Sequence, residues 1–147
     1  HSKEIVALWS LANLKVLKRM GLQVVEVRTP AMLDTALGEG AVAPEAVVDA
    51  LLGTGFSAIS GEVKEPIASA IDAINRLGVP VVAADIPSGL DGNTGKGIGR
   101  AVKATWTVTF TLPKVGFFAP GAEAYLGKLT VADLGLPKSL LESRARA

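Results

Sequence analysis

The sequence predicts an α/β fold: a Rossmann-like three-layer α/β/α sandwich around a mostly parallel sheet. Continuous apolar runs, such as residues 46–52 and 79–84, are typical of strands buried on both faces. They alternate with segments whose apolar residues recur every three or four positions, as on the buried side of a helix. Alternating strands and helices favour a parallel sheet with helices packed on its faces.

The first segments of the chain predict a helix followed by a strand. Residues 3–21 have helical periodicity, with Lys18 and Arg19 in the last turn and Gly21 at the end. LQVVEVRTP, at 22–30, predicts a short strand closed by proline. Residues 31–45 are ambiguous: AMLDTAL allows a helical turn or two, and GEGAVAP is typical of a loop.

The rest of the chain continues the alternation. A strand is predicted from about Ala46 to Leu52, and a second helix begins near Glu62, because Pro66 is compatible only with a first turn. Gly78 ends this helix. Further strands are predicted at 79–84, at 105–112 and within 125–137, and residues 138–147 form a terminal helix or tail.

Composition excludes several classes of protein. The 147 residues, 49% of them apolar, suit one domain with a single core. A net charge of +1 gives no bulk attraction to nucleic acid, and no apolar run approaches the roughly 18 residues of a membrane span. Cysteine is absent and the one histidine is His1, which argues against disulfides, thiolate or histidine catalysis and a zinc site. These features favour a cytoplasmic protein.

Three predicted strands end in unusual loops. GTGFSAISG follows the strand at 46–52, DIPSGLDGNTG follows the strand at 79–84, and PKVGFFAPG follows the strand at 105–112. Ligands of open parallel sheets bind beyond the carboxyl ends of the strands. If the three strands are parallel neighbours, the three loops therefore face one crevice.

The first of these loops suits an anion. Its glycines allow close approach of the backbone, and the helix predicted to start near Glu62 brings its positive end nearby. The alternative is an ordinary glycine-rich turn between a strand and a helix, since the loop matches neither a GxGxxG fingerprint nor a P-loop.

Asp85 is the strongest candidate for catalysis. A carboxylate at the mouth of an apolar strand is partly desolvated, which we expect to raise its pKa and suit it to proton transfer. The alternative is an aspartate that caps its own loop. Asp91 and Asn93 are assigned instead to an exposed turn, LDGNTG.

Two further side chains suit a cation. Asp49 lies inside an apolar strand, where a carboxylate requires a hydrogen-bonding partner or a cation. The Ser88 hydroxyl, three residues after Asp85, forms a local turn or binds a hard cation. Lys114 either neutralises a ligand phosphate or extends to solvent.

These stretches resemble a known family. VVDALLGTG, EPIASAIDAIN, GVPVVAADIPSGLDGNTG and TLPKVGFFAPGAEAYLGKLTVADLGLP are similar to the YjeF N-terminal domain of the NAD(P)HX epimerases, closely over about residues 46–137. The resemblance implies interconversion of the R and S hydrates NADHX and NADPHX, a repair of damaged cofactors.

The resemblance also implies roles for individual residues. It places substrate contacts on Asp85, the catalytic candidate, and on the loop after the DALLGTG strand. That loop comprises Gly53, Thr54, Gly55, Phe56, Ser57, Ala58 and Ile59. It places a potassium ion on Asp49 and Ser88.

One family motif has no counterpart in the sequence. An NNGGDG-like loop follows the family's first strand and supplies a further potassium ligand, whereas Asn13 lies in mid-helix without glycines. We therefore expect residues 1–147 to be a single, N-terminally truncated domain of this type.

Two alternatives to the epimerase stay open: a non-catalytic module of the same family that binds a nucleotide or a protein, and a generic nucleotide-binding α/β domain. An exposed first helix with Trp9 further predicts a homodimer.

Overall fold

The computed structural model describes residues 2–38, 43–56, 61–137 and 139. These residues form four helices and four strands: α1 (Ser2–Arg19), α2 (Pro30–Leu37), β1 (Val47–Asp49), α3 (Ile67–Arg76), β2 (Val81–Ala84), β3 (Trp106–Phe110), α4 (Glu123–Leu126) and β4 (Lys128–Ala132). A 3-10 turn, Val115–Phe118, follows β3. No helix within these residues is long and apolar enough to cross a membrane.

The sheet confirms the predicted fold class. Its four strands lie in the order β1-β2-β3-β4, and every neighbouring pair is parallel. Together with the helices, this gives a Rossmann-like α/β domain. Because all four strands run in the same direction, their carboxyl ends meet at one edge of the sheet, where the loops carrying the candidate residues begin.

Two apolar clusters stabilise one face of the sheet. Ile71 of α3 packs with Val81 and Val102. Beside it, Ile86 and Leu90 from the loop after β2 pack with Phe117 and other residues near α4. The second cluster anchors the loop after β2 directly beneath the carboxyl edge.

The opposite face of the sheet is more exposed. The register aligns Val48, Val82 and Trp106 across three strands, and side chains aligned in this way point to the same face. The Trp106 indole N–H donates to Thr130 Oγ1 at 2.9 Å, and the Lys128 ammonium lies 5.0 Å from the centre of the Trp106 ring. Val48 and Trp106 are both exposed.

The first forty residues depart from the predicted pattern in one place. The helix over residues 3–21 is confirmed, and AMLDTAL forms α2, with the Thr29 side chain accepting from the Met32 amide. The strand predicted at 22–30 is wrong: residues 22–28 are in no strand, and Val24 and Val25 are exposed. A strand requires a partner, and β1 pairs only with β2 among the described residues. The predicted terminal helix at 138–147 falls almost wholly outside the described residues.

Candidate functional site

The three loops predicted to meet do line one cleft. It has a volume of about 280 Å³ and lies beyond the carboxyl ends of β1, β2 and β3. Residues from each loop contribute to its walls: Thr54 and Phe56 after β1, Gly92 and Asn93 after β2, and Pro113, Lys114 and Val115 after β3. The chain therefore has a concave site at the edge where parallel sheets bind ligands.

Asp85 is the first residue after β2, and its backbone is held in an unusual conformation. Its φ is 69°, and the Ile86 amide donates to the Ala84 carbonyl across it at 2.9 Å. This is a tight γ-turn with positive φ, a rare and strained arrangement for a residue with a side chain. The Asp85 amide donates to the Val108 carbonyl at 2.8 Å, which ties the turn to β3.

The Asp85 carboxylate is bound by the third loop and by β3. The Lys114 ammonium donates to Oδ1 at 2.6 Å, and both side chains are 21% exposed. The Thr109 hydroxyl and the Phe110 amide also donate to Oδ1, each at 3.0 Å. Lys114 also lines the cleft, so the ion pair lies at its wall.

These contacts correct the predicted direction of the Asp85 pKa. Partial burial acts to raise the pKa, as the sequence suggested, but the hydrogen bonds from Lys114, the Phe110 amide and Thr109 outweigh it. The pKa of Asp85 therefore lies below its ordinary value. Asp85 is therefore ionised at neutral pH, and its side chain carries a negative charge rather than a proton that it could donate.

Asp49 and Ser88 form a second polar pair, which joins β1 to the loop after β2. Asp49 is fully buried at the end of β1, and its Oδ2 accepts from the Ser88 amide at 2.8 Å. The Ser88 hydroxyl donates to Asp49 Oδ1 at 2.6 Å and accepts from the Leu52 amide at 2.9 Å. The pair satisfies the buried carboxylate, as the hydrogen-bonding alternative requires.

The same pair offers part of a cation site. The available donors are the carboxylate oxygens of Asp49, the hydroxyl oxygen of Ser88 and the nearby Leu52 carbonyl oxygen. Hard cations prefer oxygen donors of this kind. Oxygen donors of this kind suit the expected potassium ion, but these residues alone supply too few of them to surround it. No group of three or more histidine, cysteine or acidic side chains that would hold a metal occurs in the described part of the chain.

The glycine loop after β1 has an open backbone. A Cβ added to Gly53 or Gly55 would meet nothing within 4 Å, and the Phe56 amide closes a turn onto the Gly53 carbonyl at 3.0 Å. Phe56 lines both the cleft at the carboxyl edge and a neighbouring hollow of about 230 Å³ next to α3. Ser57, Ala58 and Ile59 lie outside the described residues.

The helix end predicted to attract an anion is already occupied. Helix α3 begins at Ile67 rather than near Glu62, with Pro66 as its capping residue. The Glu65 carboxylate accepts from the Ser69 amide at 3.1 Å, and contact with Ser69 lowers the pKa of Glu65. A carboxylate at this position takes the place of a phosphate at the helix N-terminus.

The turn at 90–95 differs from the prediction in one residue. Asp91 is buried, 2% exposed, and its Oδ1 accepts from the amides of Asn93 and Thr94, so it organises the turn from inside. Asn93 is exposed, as expected, but it lines the cleft. Thr109 was not singled out from the sequence, because nothing local distinguishes it from Thr107, the other threonine of β3.

In a comparison with protein families, one family model matches most of this chain. The model of the YjeF-related protein N-terminus covers residues 7–116, which include every residue that lines the cleft at the carboxyl edge.

Curated relatives are similar over much of the chain. The bifunctional NAD(P)H-hydrate repair enzyme Nnr of Pyrobaculum aerophilum is 43% identical over 122 residues, which are 83% of this chain and 24% of the relative. The enzyme of the same name from Coxiella burnetii is 48% identical over 99 residues, 67% of this chain and 20% of the relative. The NAD(P)H-hydrate epimerase of Cenarchaeum symbiosum is 41% identical over 99 residues, 67% of this chain and 44% of the relative. The chain thus spans less than half the length of each of these proteins.

Proposed function

Because this chain belongs to the family of the YjeF-related protein N-terminus, we propose that it is an NAD(P)H-hydrate epimerase domain, which interconverts the R and S forms of NADHX and NADPHX. One observation carries the proposal: the family match and the cleft coincide. Residues 7–116 contain all the walls of the cleft and the Asp85–Lys114 pair. Relatives named as an NAD(P)H-hydrate epimerase or as NAD(P)H-hydrate repair enzymes are 41–48% identical over 99 to 122 residues.

The geometry of Asp85 suits this chemistry. Epimerisation breaks the bond between C6 of the nicotinamide ring and its hydroxyl, with the electron pair leaving on oxygen, and reforms it on the other face of the ring. Positive charge develops on the ring in between. The Asp85 carboxylate is ionised at neutral pH, so it stabilises this charge; as water adds to the other face it accepts one proton and passes it to the hydroxide that left, so that the proton balance is restored.

We assign substrate binding to the glycine loop as well. Gly53, Thr54, Gly55 and Phe56, with Ser57, Ala58 and Ile59 beyond them, would hold the nucleotide part of the hydrate. The open backbone at Gly53 and Gly55 supports close approach of a ligand, and Thr54 and Phe56 line the cleft.

Potassium belongs to the proposal as a cofactor held in part by Asp49 and Ser88. The ion would supply positive charge next to the substrate phosphates. The support is the chemistry of these oxygen donors and their place between β1 and the loop that carries Asp85. A homodimer and a cytoplasmic location stay predictions from the sequence.

A second function is favoured by the ion pair itself. A carboxylate already neutralised by Lys114 at 2.6 Å suits a structural role, and the domain would then bind the hydrate without converting it. Nucleotide binding without turnover is the signature of this alternative.

The deciding experiment measures epimerisation and binding together. Purified S and R hydrates are incubated separately with the wild type, with Asp85→Asn and with Asp34→Asn, an exposed aspartate on α2 that serves as the matched control. We expect both wild type and Asp34→Asn to convert either isomer, and Asp85→Asn to be slower by about 100-fold or more. Binding of the hydrates by calorimetry, with equal and negligible conversion by all three proteins, would instead support the binding module.

A further inference from the structure

The two oxygens of the Asp85 carboxylate have different surroundings. All three hydrogen bonds to the side chain, from Lys114, Thr109 and the Phe110 amide, end on Oδ1. Oδ2 accepts none within the described residues. Because no buried side-chain oxygen there lacks a partner, Oδ2 is open to solvent.

Thr109 is the residue that links the donors on Oδ1. It is fully buried in β3, its hydroxyl donates to Asp85 Oδ1 at 3.0 Å, and the same oxygen accepts from Lys114 Nζ at 3.3 Å. β-Branching restricts rotation about χ1 in threonine, and burial in β3 together with these two hydrogen bonds holds the Thr109 hydroxyl between the carboxylate and the ammonium.

The backbone fixes the carboxylate from the other side. The γ-turn at Asp85 holds its Cα, and the Phe110 amide, at the end of the rigid strand β3, holds Oδ1. With the Cα and one oxygen held, the direction in which Oδ2 points is determined.

We propose that Thr109 is a positioning residue for the reaction, which anchors Oδ1 of Asp85 so that Oδ2 is the oxygen that faces the substrate. The inference rests on the proposed function and assigns a role within that site. Oδ1 is saturated by donors and has little capacity left to accept a proton. Oδ2 retains its lone pairs and its access to solvent, as the working oxygen of a proton acceptor needs.

The test compares Thr109→Val, which keeps the shape and removes the hydroxyl, with Thr109→Ser, which restores the hydroxyl. Thr107→Val is the matched control: Thr107 is equally buried on the same strand, but its hydroxyl donates to the Leu126 carbonyl at 2.7 Å and not to Asp85. We expect Thr109→Val to lower kcat for epimerisation about tenfold with KM within about threefold, because binding is kept while the acceptor is misaligned. Thr109→Ser and Thr107→Val should keep kcat within about threefold of wild type.

A second readout does not depend on turnover. The side-chain carboxyl carbon of Asp85 is followed by NMR as pH is varied; Lys114 is the one ionisable side chain that contacts Asp85 within the described residues. Loss of the Thr109 hydrogen bond should move the titration of Asp85 to higher pH in Thr109→Val and leave it in place in Thr109→Ser and Thr107→Val.

The outcomes separate the two claims. If Thr109→Val matches wild type in kcat and in titration, or if it alters KM alone, the positioning role is overturned. If the wild type converts neither hydrate, the proposed function fails, and the titration alone decides whether Thr109 holds the carboxylate.

Discussion

The backbones of Gly95 and Gly116 touch with no side chain between them. A Cβ on either glycine would overlap the main chain of the other, and a Cβ on Gly116 would also lie 2.8 Å from the carbonyl oxygens of Asp91 and Gly92. The Gly116 amide donates to the Gly92 carbonyl at 2.7 Å. This contact joins the turn that bears Asn93 to the segment that bears Lys114, so it holds two walls of the cleft together.

Gly116→Ala should therefore destabilise the domain. Because the added methyl group meets backbone on the other side, relief requires the two segments to separate, and we expect a loss of about 2 kcal/mol in the free energy of unfolding by urea. Gly53→Ala is the control, since a Cβ there meets nothing within 4 Å and φ is not positive. Equal stability of the two variants would contradict the close contact.

The Asp49–Ser88 pair should show energetic coupling. Asp49→Asn presents an amide where the Ser88 amide needs an acceptor, and we expect it to cost about 1–3 kcal/mol because the site is buried. Combined with Ser88→Ala in a double-mutant cycle, it should give a coupling energy of about 1 kcal/mol or more. Asp34→Asn with Ser88→Ala is the matched pair, for which we expect additivity.

Potassium should stabilise the fold through the same residues. A concentration ten times the dissociation constant adds about 1.4 kcal/mol to the native state. We expect a higher Tm in KCl than in LiCl at equal ionic strength, for the wild type and for Asp34→Asn but not for Asp49→Asn. Identical melting in the two salts would count against a potassium site on Asp49 and Ser88.

The sequence indicated where the candidate site lies because the patterns that predict it occur within short stretches of the chain. Parallel strands follow from alternating buried runs and helices, and loops at their carboxyl ends share one edge, so the pattern alone placed Asp85 and Thr54 at the edge where the cleft lies. Asp49 and Ser88 stood out for similar reasons. Asp49 is a carboxylate within an apolar strand, and Ser88 is a hydroxyl that follows shortly after a second apolar strand.

The features that sequence reasoning missed depend on distant partners. The lowered pKa of Asp85 comes largely from Lys114, which is 29 positions away, and Thr109 reaches the Asp85 carboxylate only because β3 pairs in register with β2. The predicted strand at 22–30 failed for the same reason, since alternation predicts an extended backbone but not its neighbour.

Removing Lys114 should change how stability depends on pH. The pKa of Asp85 is lowered in the folded state, so its contribution is present above the unfolded value, about 3.9, and is lost as pH falls through the folded pKa. We expect the stability difference between wild type and Lys114→Met to be largest near pH 7 and to shrink below about pH 4. Urea unfolding across this range measures it. Lys96→Met, which replaces an exposed lysine in the loop after β2, should show no such trend.

Thr111 should be replaceable with a gain in stability. It follows β3 as Asp85 follows β2, with φ 65° and a Leu112 amide that donates to the Phe110 carbonyl at 2.7 Å, so a β-branched side chain occupies a strained γ-turn. Asparagine tolerates positive φ, and we expect Thr111→Asn to add about 1 kcal/mol in urea unfolding. Thr35→Asn on α2 is the control, expected within about 0.5 kcal/mol of wild type. A loss of stability in Thr111→Asn would mean that contacts of the threonine outweigh the strain. A gain accompanied by slower epimerisation would mean that the strained turn holds Lys114, three residues on, against Asp85.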